Sequence, residues 1–324
     1  MSKKCLTVVV PAFHEESAIV PFYEAVMAVY EKDLQEKVNI DLLLVDDGST
    51  DRTLAVIREL SEKDARVSYL SFSRNFGKEA AIYAGLEHSR GDVTVIMDAD
   101  LQDPPSLLPQ MYAAIEEEGF DCVGSRRVSR RGEPVIRSFF ARQFYRLMGK
   151  ISQTEIVDGA RDYQMMNQKV VRAILSMGEY NRFSKGIFGW VGFKKKWLEY
   201  ENVERVAGET KWSFWQLVLY AIDGIVAFST APLIWSSVMG IVFCLIAFLA
   251  ILFIIVRTLI FGDPTSGWPS MACIVILVSG VQLLSIGVLG QYLAKTYLET
   301  KNRPKYLLEE EHLSEIEEAE HADQ

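Results

Sequence analysis

No G-x-G-x-x-G follows the first strand-like run of this chain, and no G-x-x-x-x-G-K-[ST] occurs anywhere in it. A nicotinamide or flavin dinucleotide site and a P-loop are therefore not expected. There is no excess of positive charge: 34 Lys and Arg stand against 43 Asp and Glu, for a net charge of −9. Nucleic acid is accordingly not an expected partner. Cysteine is sparse. The four residues Cys5, Cys122, Cys244 and Cys273 lie far apart, without metal-binding or disulfide spacing, and fit a reducing compartment. Met1-Ser2-Lys3-Lys4 leads directly into a strand pattern, with no signal-peptide pattern before it.

The most informative absence is of charge itself. Residues 224–256 contain no Asp, Glu, Lys or Arg, and neither do residues 264–294. About 20 apolar residues suffice to cross a bilayer. Pro232 to Val256 and Ser270 to Ala294 are both long enough, joined by the short segment Arg257 to Pro269. A buried soluble helix is the alternative, and two such runs in succession make it the weaker one. The joining segment has only Arg257, whereas Lys295, Lys301, Arg303 and Lys305 follow the second run. The positive-inside rule then puts both termini in the cytoplasm of a multi-pass protein of the inner (plasma) membrane. Residues 307–324 hold eight acids and no Lys or Arg, so the preceding 306 residues carry a net charge near −1. That segment reads as a solvated acidic tail, disordered or a frayed helix.

Before residue 98 the pattern alternates. Strands are expected at Leu6 to Val10, Leu42 to Val45, Val67 to Phe72 and Val93 to Met97. Helices are expected at Glu16 to Tyr30, Thr53 to Lys63 and Lys78 to His88. This order implies an α/β, Rossmann-like, mostly parallel sheet with helices on both faces. Ligands in such sheets bind beyond the carboxyl ends of the strands. Each strand here ends in a polar stretch, beginning at Pro11, Asp46, Ser73 and Asp98.

The most telling of these is Met97-Asp98-Ala99-Asp100-Leu101-Gln102-Asp103-Pro104. Two carboxylates one residue apart repel each other, and a hard divalent cation carrying a substrate phosphate resolves the repulsion. A calcium loop fails on spacing, because Asp103 stands where Gly is needed and Pro109 where Glu is needed. Asp103 could instead cap the next helix, with Pro at its start. Asp46 could simply stabilise the Gly48 turn, and Asp51 reads as the cap of the second helix. Phe13 offers a ring to cover a base, and Asp47 an acceptor for base or ribose.

Two further segments look interfacial. Residues 133–152 carry Ile136, Phe140, Phe144 and Met148 on one stripe and Arg142, Arg146 and Lys150 on another. They form either a helix packed on the sheet or one lying on anionic lipid. Residues 212–228 begin with Trp212, Phe214 and Trp215, which suit headgroup depth.

Val9-Val10-Pro11-Ala12-Phe13-His14-Glu15-Glu16, Val45-Asp46-Asp47-Gly48-Ser49-Thr50-Asp51 and Asp98-Ala99-Asp100-Leu101-Gln102-Asp103-Pro104 together resemble the signature of family 2 glycosyltransferases with the GT-A fold. Arg74-Asn75-Phe76-Gly77-Lys78 and the two late apolar runs narrow the resemblance to polyprenyl-phosphate glycosyltransferases of the bactoprenol glucosyltransferase type, related to dolichol-phosphate mannose synthase. It covers roughly residues 5–306. Phe13-His14 departs from the family's usual Tyr-Asn, and Tyr163-Gln164 from its Phe-Arg.

The resemblance implies that Pro11, Phe13, Glu15, Val45, Asp47, Asp98, Ala99 and Arg126 bind the nucleotide sugar, and that Asp100 and Gln102 reach Mg²⁺ or Mn²⁺. Arg126 would follow the fifth strand; a solvated basic loop is its alternative. Asp162 matches the position of the family's proposed base, although a cap or turn before an Asn167 helix would explain it equally. Arg205 and Lys211 match the loop that closes on the phosphates. The implied organisation is a cytoplasmic GT-A domain (1–228), a two-helix transmembrane hairpin with a juxtamembrane segment (229–306) and the acidic tail (307–324). The implied activity is metal-dependent, inverting transfer of a hexose to undecaprenyl phosphate. UDP-glucose is favoured as donor over UDP-N-acetylglucosamine and GDP-mannose. Membrane lipid is a further partner, and a second copy of the chain is left open. A processive synthase is disfavoured, for the chain has no Gln-x-x-Arg-Trp. A non-catalytic scaffold or flippase subunit is the rival from another class.

Overall fold

A computed structural model describes residues 3–127, 159–200, 225–226, 229–261 and 267–314. Arg205, Lys211, the segment 133–152 and nearly all of 212–228 lie outside the described residues.

Strands β1 (Lys4–Ala12), β2 (Val38–Asp46), β3 (Val67–Phe72) and β4 (Val93–Ile96) alternate with helices α1 (Ile19–Val29), α2 (Thr53–Lys63) and α3 (Lys78–Glu87). Then come α4 (Leu108–Glu116), β5 (Cys122–Arg127), β6 (Ala160–Asn167), α5 (Gln168–Ser176), α6 (Ser184–Trp190) and β7 (Lys195–Tyr200). Two long helices follow, α7 (Ala231–Phe261) and α8 (Trp268–Thr300), and a last strand, β8 (Leu308–His312). The eight strands form one sheet in the order β7-β5-β6-β4-β1-β2-β3-β8.

The central strands are apolar on both faces because helices cover both. Along β1 the alternation divides the core in two. Leu6, Val8 and Val10 face α1, α2 and α4, while Val9 faces α3. Gly85 of α3 lies flush on β1: a β-carbon there would come within 2.1 Å of a Val9 methyl.

β1 pairs in parallel with both β2 and β4. The chain winds outward from β1 through β2 and β3, then returns to the other side of β1. The crevice between β1 and β4 is therefore the topological switch point, where open α/β sheets bind ligands. β6 enters antiparallel between β4 and β5, a strand that the sequence pattern did not announce. Its reversed direction brings its amino end, with Arg161 and Asp162, to the edge where the parallel strands end.

Two expectations are corrected here. The first helix begins at Ile19 rather than Glu16, because the carbonyl of Glu15 accepts from the amides of Ala18 and Ile19 in the preceding turn. The acidic segment is not a solvated tail along residues 307–314. β8 runs antiparallel to β3, and the Ser73 amide donates to the Leu307 carbonyl at 3.0 Å. Glu310 pairs with Arg58 and accepts from Tyr69, while Leu308 and Leu313 pack on the core. Ser314 is buried, donating from its hydroxyl to Asp41 at 3.0 Å and from its amide to Ser68 at 2.9 Å. Covering an exposed sheet edge accounts for this arrangement, since backbone pairing is indifferent to the charge of outward side chains.

α7 and α8 each contain a stretch long and apolar enough to cross a membrane, Ala231–Ala250 and Leu277–Thr300. At 31 and 33 residues the helices are roughly 46–50 Å long, more than the ~30 Å hydrocarbon layer. The surplus at the end of α8 docks on the globular domain. Glu299 accepts from the amides of Tyr180 and Asn181 at 2.9 and 3.1 Å. Beyond it, Tyr306 stacks on Phe72 with ring centroids 4.9 Å apart and donates to Glu87 of α3.

Candidate active site

The β1 end places Phe13 at the carboxyl edge, 38% exposed and stacked on His14 with ring centroids 4.0 Å apart. His14 is held by the Ser49 hydroxyl, which accepts from its amide at 3.0 Å. Its φ of 56° lies in the left-handed region, as does that of Leu101 at 55°. Such angles in non-glycine residues cost about 1–2 kcal/mol each. The two strained residues stand on either side of the switch point.

Val45 and Ala99 are buried, at 0% and 4% exposure, so neither offers more than backbone to a ligand. Pro11 and Glu15 are half-buried. Asp46 stabilises its own turn by accepting from the Ser49 amide at 3.2 Å; Asp51 accepts from the Thr53 amide at 3.0 Å in the turn before α2, whose cap position is Arg52 rather than Asp51.

Asp47 behaves differently from both. It is 3% exposed, and its carboxylate accepts from the amides of Phe76 and Gly77 at 2.6–3.1 Å. Burial pushes its pKa up to about 6 despite those two amides. The loop after β3 is thus fastened to the loop after β2. Gly48 allows the close approach: its φ is 66°, and a β-carbon there would meet the Arg74 carbonyl carbon at 2.3 Å.

At the end of β4, the Leu101 turn sets Asp100 and Gln102 side by side, and the Gln102 amide donates to Asp100 Oδ1 at 3.1 Å. Gln102 Oε1 accepts from Arg161 at 3.2 Å. Arg161 also pairs with Asp103 at 3.2 Å. Asp103 is therefore not a helix cap. It is 1% exposed and accepts from Tyr200 as well, while its Oδ2 has no partner among the described residues. Burial pushes Asp103 up, which Arg161 only partly offsets. Burial works against Arg161 too, but Asp103 and then Asp98 more than compensate and hold it charged.

Asp162 is neither cap nor turn residue. It lies within β6, and the cap of α5 is the Asn167 side chain, which accepts from the Val170 amide at 3.1 Å. Asp162 meets Lys78 at 2.7 Å, and the same ammonium lies 2.7 Å from Asp98. Burial disfavours the charge on Asp162, but Lys78 and then Lys185 outweigh it and keep its pKa far below the usual carboxylate range. Arg126 lies inside β5 rather than after it, 3.6 Å from Glu199.

Sequence reasoning named Asp98, Asp100, Gln102 and Asp162, which the fold gathers at one edge. It missed Arg161 as the partner of Asp103 and Gln102. It also missed Lys78 as the bridge between Asp98 and Asp162. A signal for Lys78 existed in Arg74-Asn75-Phe76-Gly77-Lys78, a polar run at a strand end. Arg161 stands next to Asp162, but nothing local points to Asp103 or Gln102 as its partners.

Among the described residues, no group of three or more His, Cys, Asp or Glu is arranged to hold a metal ion. One carboxylate and one amide oxygen, from Asp100 and Gln102, would suit a hard ion whose remaining positions phosphate oxygens and water could complete.

Residues 7–175 match the family model described as glycosyl transferase family 2. The chain is 40% identical over 304 residues to the prophage bactoprenol glucosyl transferase homolog of Escherichia coli K12, covering 94% of this chain and 98% of that protein. It is 40% identical over 308 residues to the bactoprenol glucosyl transferase of Shigella phage SfII, covering 95% and 98%. An uncharacterized glycosyltransferase of Bacillus subtilis, YkcC, is 39% identical over 304 residues, covering 94% and 93%. With a family match over half its length and relatives alike along nearly all of it, the chain belongs to glycosyl transferase family 2 and is a glycosyltransferase with a GT-A-like mixed sheet.

Proposed function

We propose that this enzyme transfers glucose from UDP-glucose to undecaprenyl phosphate, inverting the anomeric carbon, at the cytoplasmic face of the membrane that α7 and α8 span. The observation that carries this reading is the 40% identity to bactoprenol glucosyl transferases, which extends through both apolar helices rather than stopping at the sheet. A lipid acceptor needs an active site held at a bilayer, and the docking of Glu299 on the 180–181 loop supports that arrangement.

Phe13 is exposed where a base can lie on it, and Pro11, Glu15, Val45, Asp47 and Ala99 frame the same edge. Asp98 would face the sugar and Arg126 the diphosphate. Asp100 and Gln102 would hold Mg²⁺ or Mn²⁺, which when bound neutralises the leaving diphosphate. Arg161 orients the Gln102 oxygen towards that task. Arg205 and Lys211 would add positive charge where donor and acceptor phosphates approach.

A phosphate monoester has a second pKa near 6 and is already largely ionised at pH 7. It needs positioning and charge compensation more than a base. The ion pair of Asp162 with Lys78 supports this, because a carboxylate so held is a weak proton acceptor.

The test is transfer of label to extracted lipid in membranes supplied with UDP-glucose, UDP-N-acetylglucosamine or GDP-mannose. Lipid label from UDP-glucose is expected, abolished by EDTA and restored by Mn²⁺ or Mg²⁺. Label from another donor alone would move the donor assignment. Full activity in EDTA would remove the metal from the mechanism.

A further inference from the structure

We propose that Lys78 is the positioning residue of this site: its ammonium ties the carboxylate at the end of β4 to the carboxylate at the start of β6, and so sets donor and acceptor sides at a fixed separation. The inference rests on the glycosyl-transfer reading for its kinetic consequence, but not for its structural one.

The geometry begins with an antiparallel insertion. β6 pairs with β4 in the register Ile96↔Gln164, which brings Asp162 to the sheet edge reached by Asp98. The two side chains are 24% and 19% exposed. Two carboxylates so close and so little hydrated repel each other, and a third, Glu79, lies near enough to Asp162 for the two to repel. Lys78 is, among the described residues, the cation bonded to both, donating to Asp98 Oδ2 at 2.9 Å and to Asp162 Oδ2 at 2.7 Å. Lys185 and Arg161 act on Asp162 from further off. Glu79 turns instead to Ser184, accepting from its amide at 3.0 Å and from its hydroxyl.

Lys78 is itself held from behind. It is the first residue of α3, directly after Gly77, whose φ of 97° turns the chain into the helix. The Gly77 and Phe76 amides are fastened to the buried Asp47. A continuous set of contacts therefore runs from Asp47, at the end of β2, through the 76–77 backbone and Lys78 to Asp162. The nucleoside edge and the acceptor side share one support. Lysine at this point supplies a compact charge with three donors, enough for two carboxylates at once. Asp162 then serves as a fixed counter-charge, and the alignment of the reacting groups depends on its place.

Four full-length chains are compared in detergent or membranes: wild type, Lys78→Met, Asp162→Asn and the double variant, with Lys78→Arg as a fifth. The first readout is the thermal midpoint, which needs no substrate. Lys78→Met should lower it, and the double variant should melt above Lys78→Met because one unpaired carboxylate has been removed. Equal or additive midpoints would overturn the pairing.

The second readout is initial rate against donor concentration. Lys78→Met should lower kcat by about 10²-fold with donor KM changed less than about threefold. Asp162→Asn should add little to it in the double variant, and Lys78→Arg should restore a part. Multiplying losses, or a rise in donor KM at unchanged kcat, would overturn the positioning role and make Lys78 a donor-binding residue. If wild type transfers no sugar from any donor, the functional reading fails. The midpoint cycle then still decides whether Lys78 couples the two carboxylates.

Discussion

Replacing Arg161 with Met tests the most heavily buried ion pair of the site. The substitution keeps most of the side-chain volume and removes the guanidinium. Asp103 would be left 1% exposed, with Tyr200 as its remaining hydrogen-bond donor and one oxygen already unpartnered among the described residues. Breaking one side of a buried pair typically costs about 3–5 kcal/mol. The Arg161 side chain is 25% exposed, so water screens part of the interaction, and about 2–4 kcal/mol is the expected loss. For a domain near 200 residues that corresponds to a fall of about 5–15 °C in Tm. The assay is thermal unfolding of the full chain in detergent, alongside Asp103→Asn and the double variant. Asp103→Asn removes the stranded charge, so the double variant should recover at least half of the loss. A midpoint for Arg161→Met within about 2 °C of wild type would refute the argument. So would a double variant that melts at the sum of the single losses. Because Arg161 also donates to Gln102, the variant should need more Mn²⁺ for half-maximal rate. That readout separates the orienting role from the stabilising one.

Deleting residues 308–324 should destabilise the fold by about 2–4 kcal/mol, since buried Asp41 and Ser68 lose Ser314 and the β3 edge is bared. An unchanged unfolding midpoint for the deletion would remove β8 as a structural element. Tyr163→Phe should be neutral or stabilising by up to about 1 kcal/mol, because the buried hydroxyl has no partner among the described residues; a clear loss in chemical denaturation would mean that the hydroxyl is bonded. Asp47 carries a raised folded-state pKa of about 6 against an ordinary value of 3.8, so the folded state binds its proton more tightly. As pH falls from 7 through 6 to 4, wild type should therefore gain stability relative to Asp47→Asn, by up to about 3 kcal/mol in denaturant titrations, and a flat difference would contradict the shift.

Local signals made much of this protein legible. Thr53–Lys63 and Val67–Phe72 occupy the spans read from periodicity, because the helix buries one face, through Thr53, Ile57 and Leu60, and the strand is buried along its whole length. The polar strand ends predicted where a site would lie, and Asp98, Asp100 and Gln102 stand there. The amino end of α1 was misread because Glu16 and Ser17 are polar enough to begin a helix, while the carbonyl of Glu15 decides the turn. For Asp103 the sequence left a cap open, because a carboxylate before Pro-Pro has that form; what it meets is Arg161, 58 residues away.

Composition alone determined that the chain has two helices able to cross a bilayer, since length and lack of charge are properties of a single segment. Alternating strand and helix patterns likewise determined a doubly covered sheet whose ligand edge lies at the strand ends. Tertiary structure decided everything that depends on pairing across the chain. Nothing local in Ala160–Asn167 specifies an antiparallel partner for β4, yet that pairing brings Asp162 to Lys78 across 84 residues. Three consecutive glutamates give Leu308–His312 little strand propensity of its own, yet an open β3 edge supplies backbone partners that the segment could not find within itself. Long-range pairings of this kind are chosen by the free energy of the whole sheet, in which an unfilled edge or an uncompensated carboxylate is costly wherever its remedy lies in the sequence.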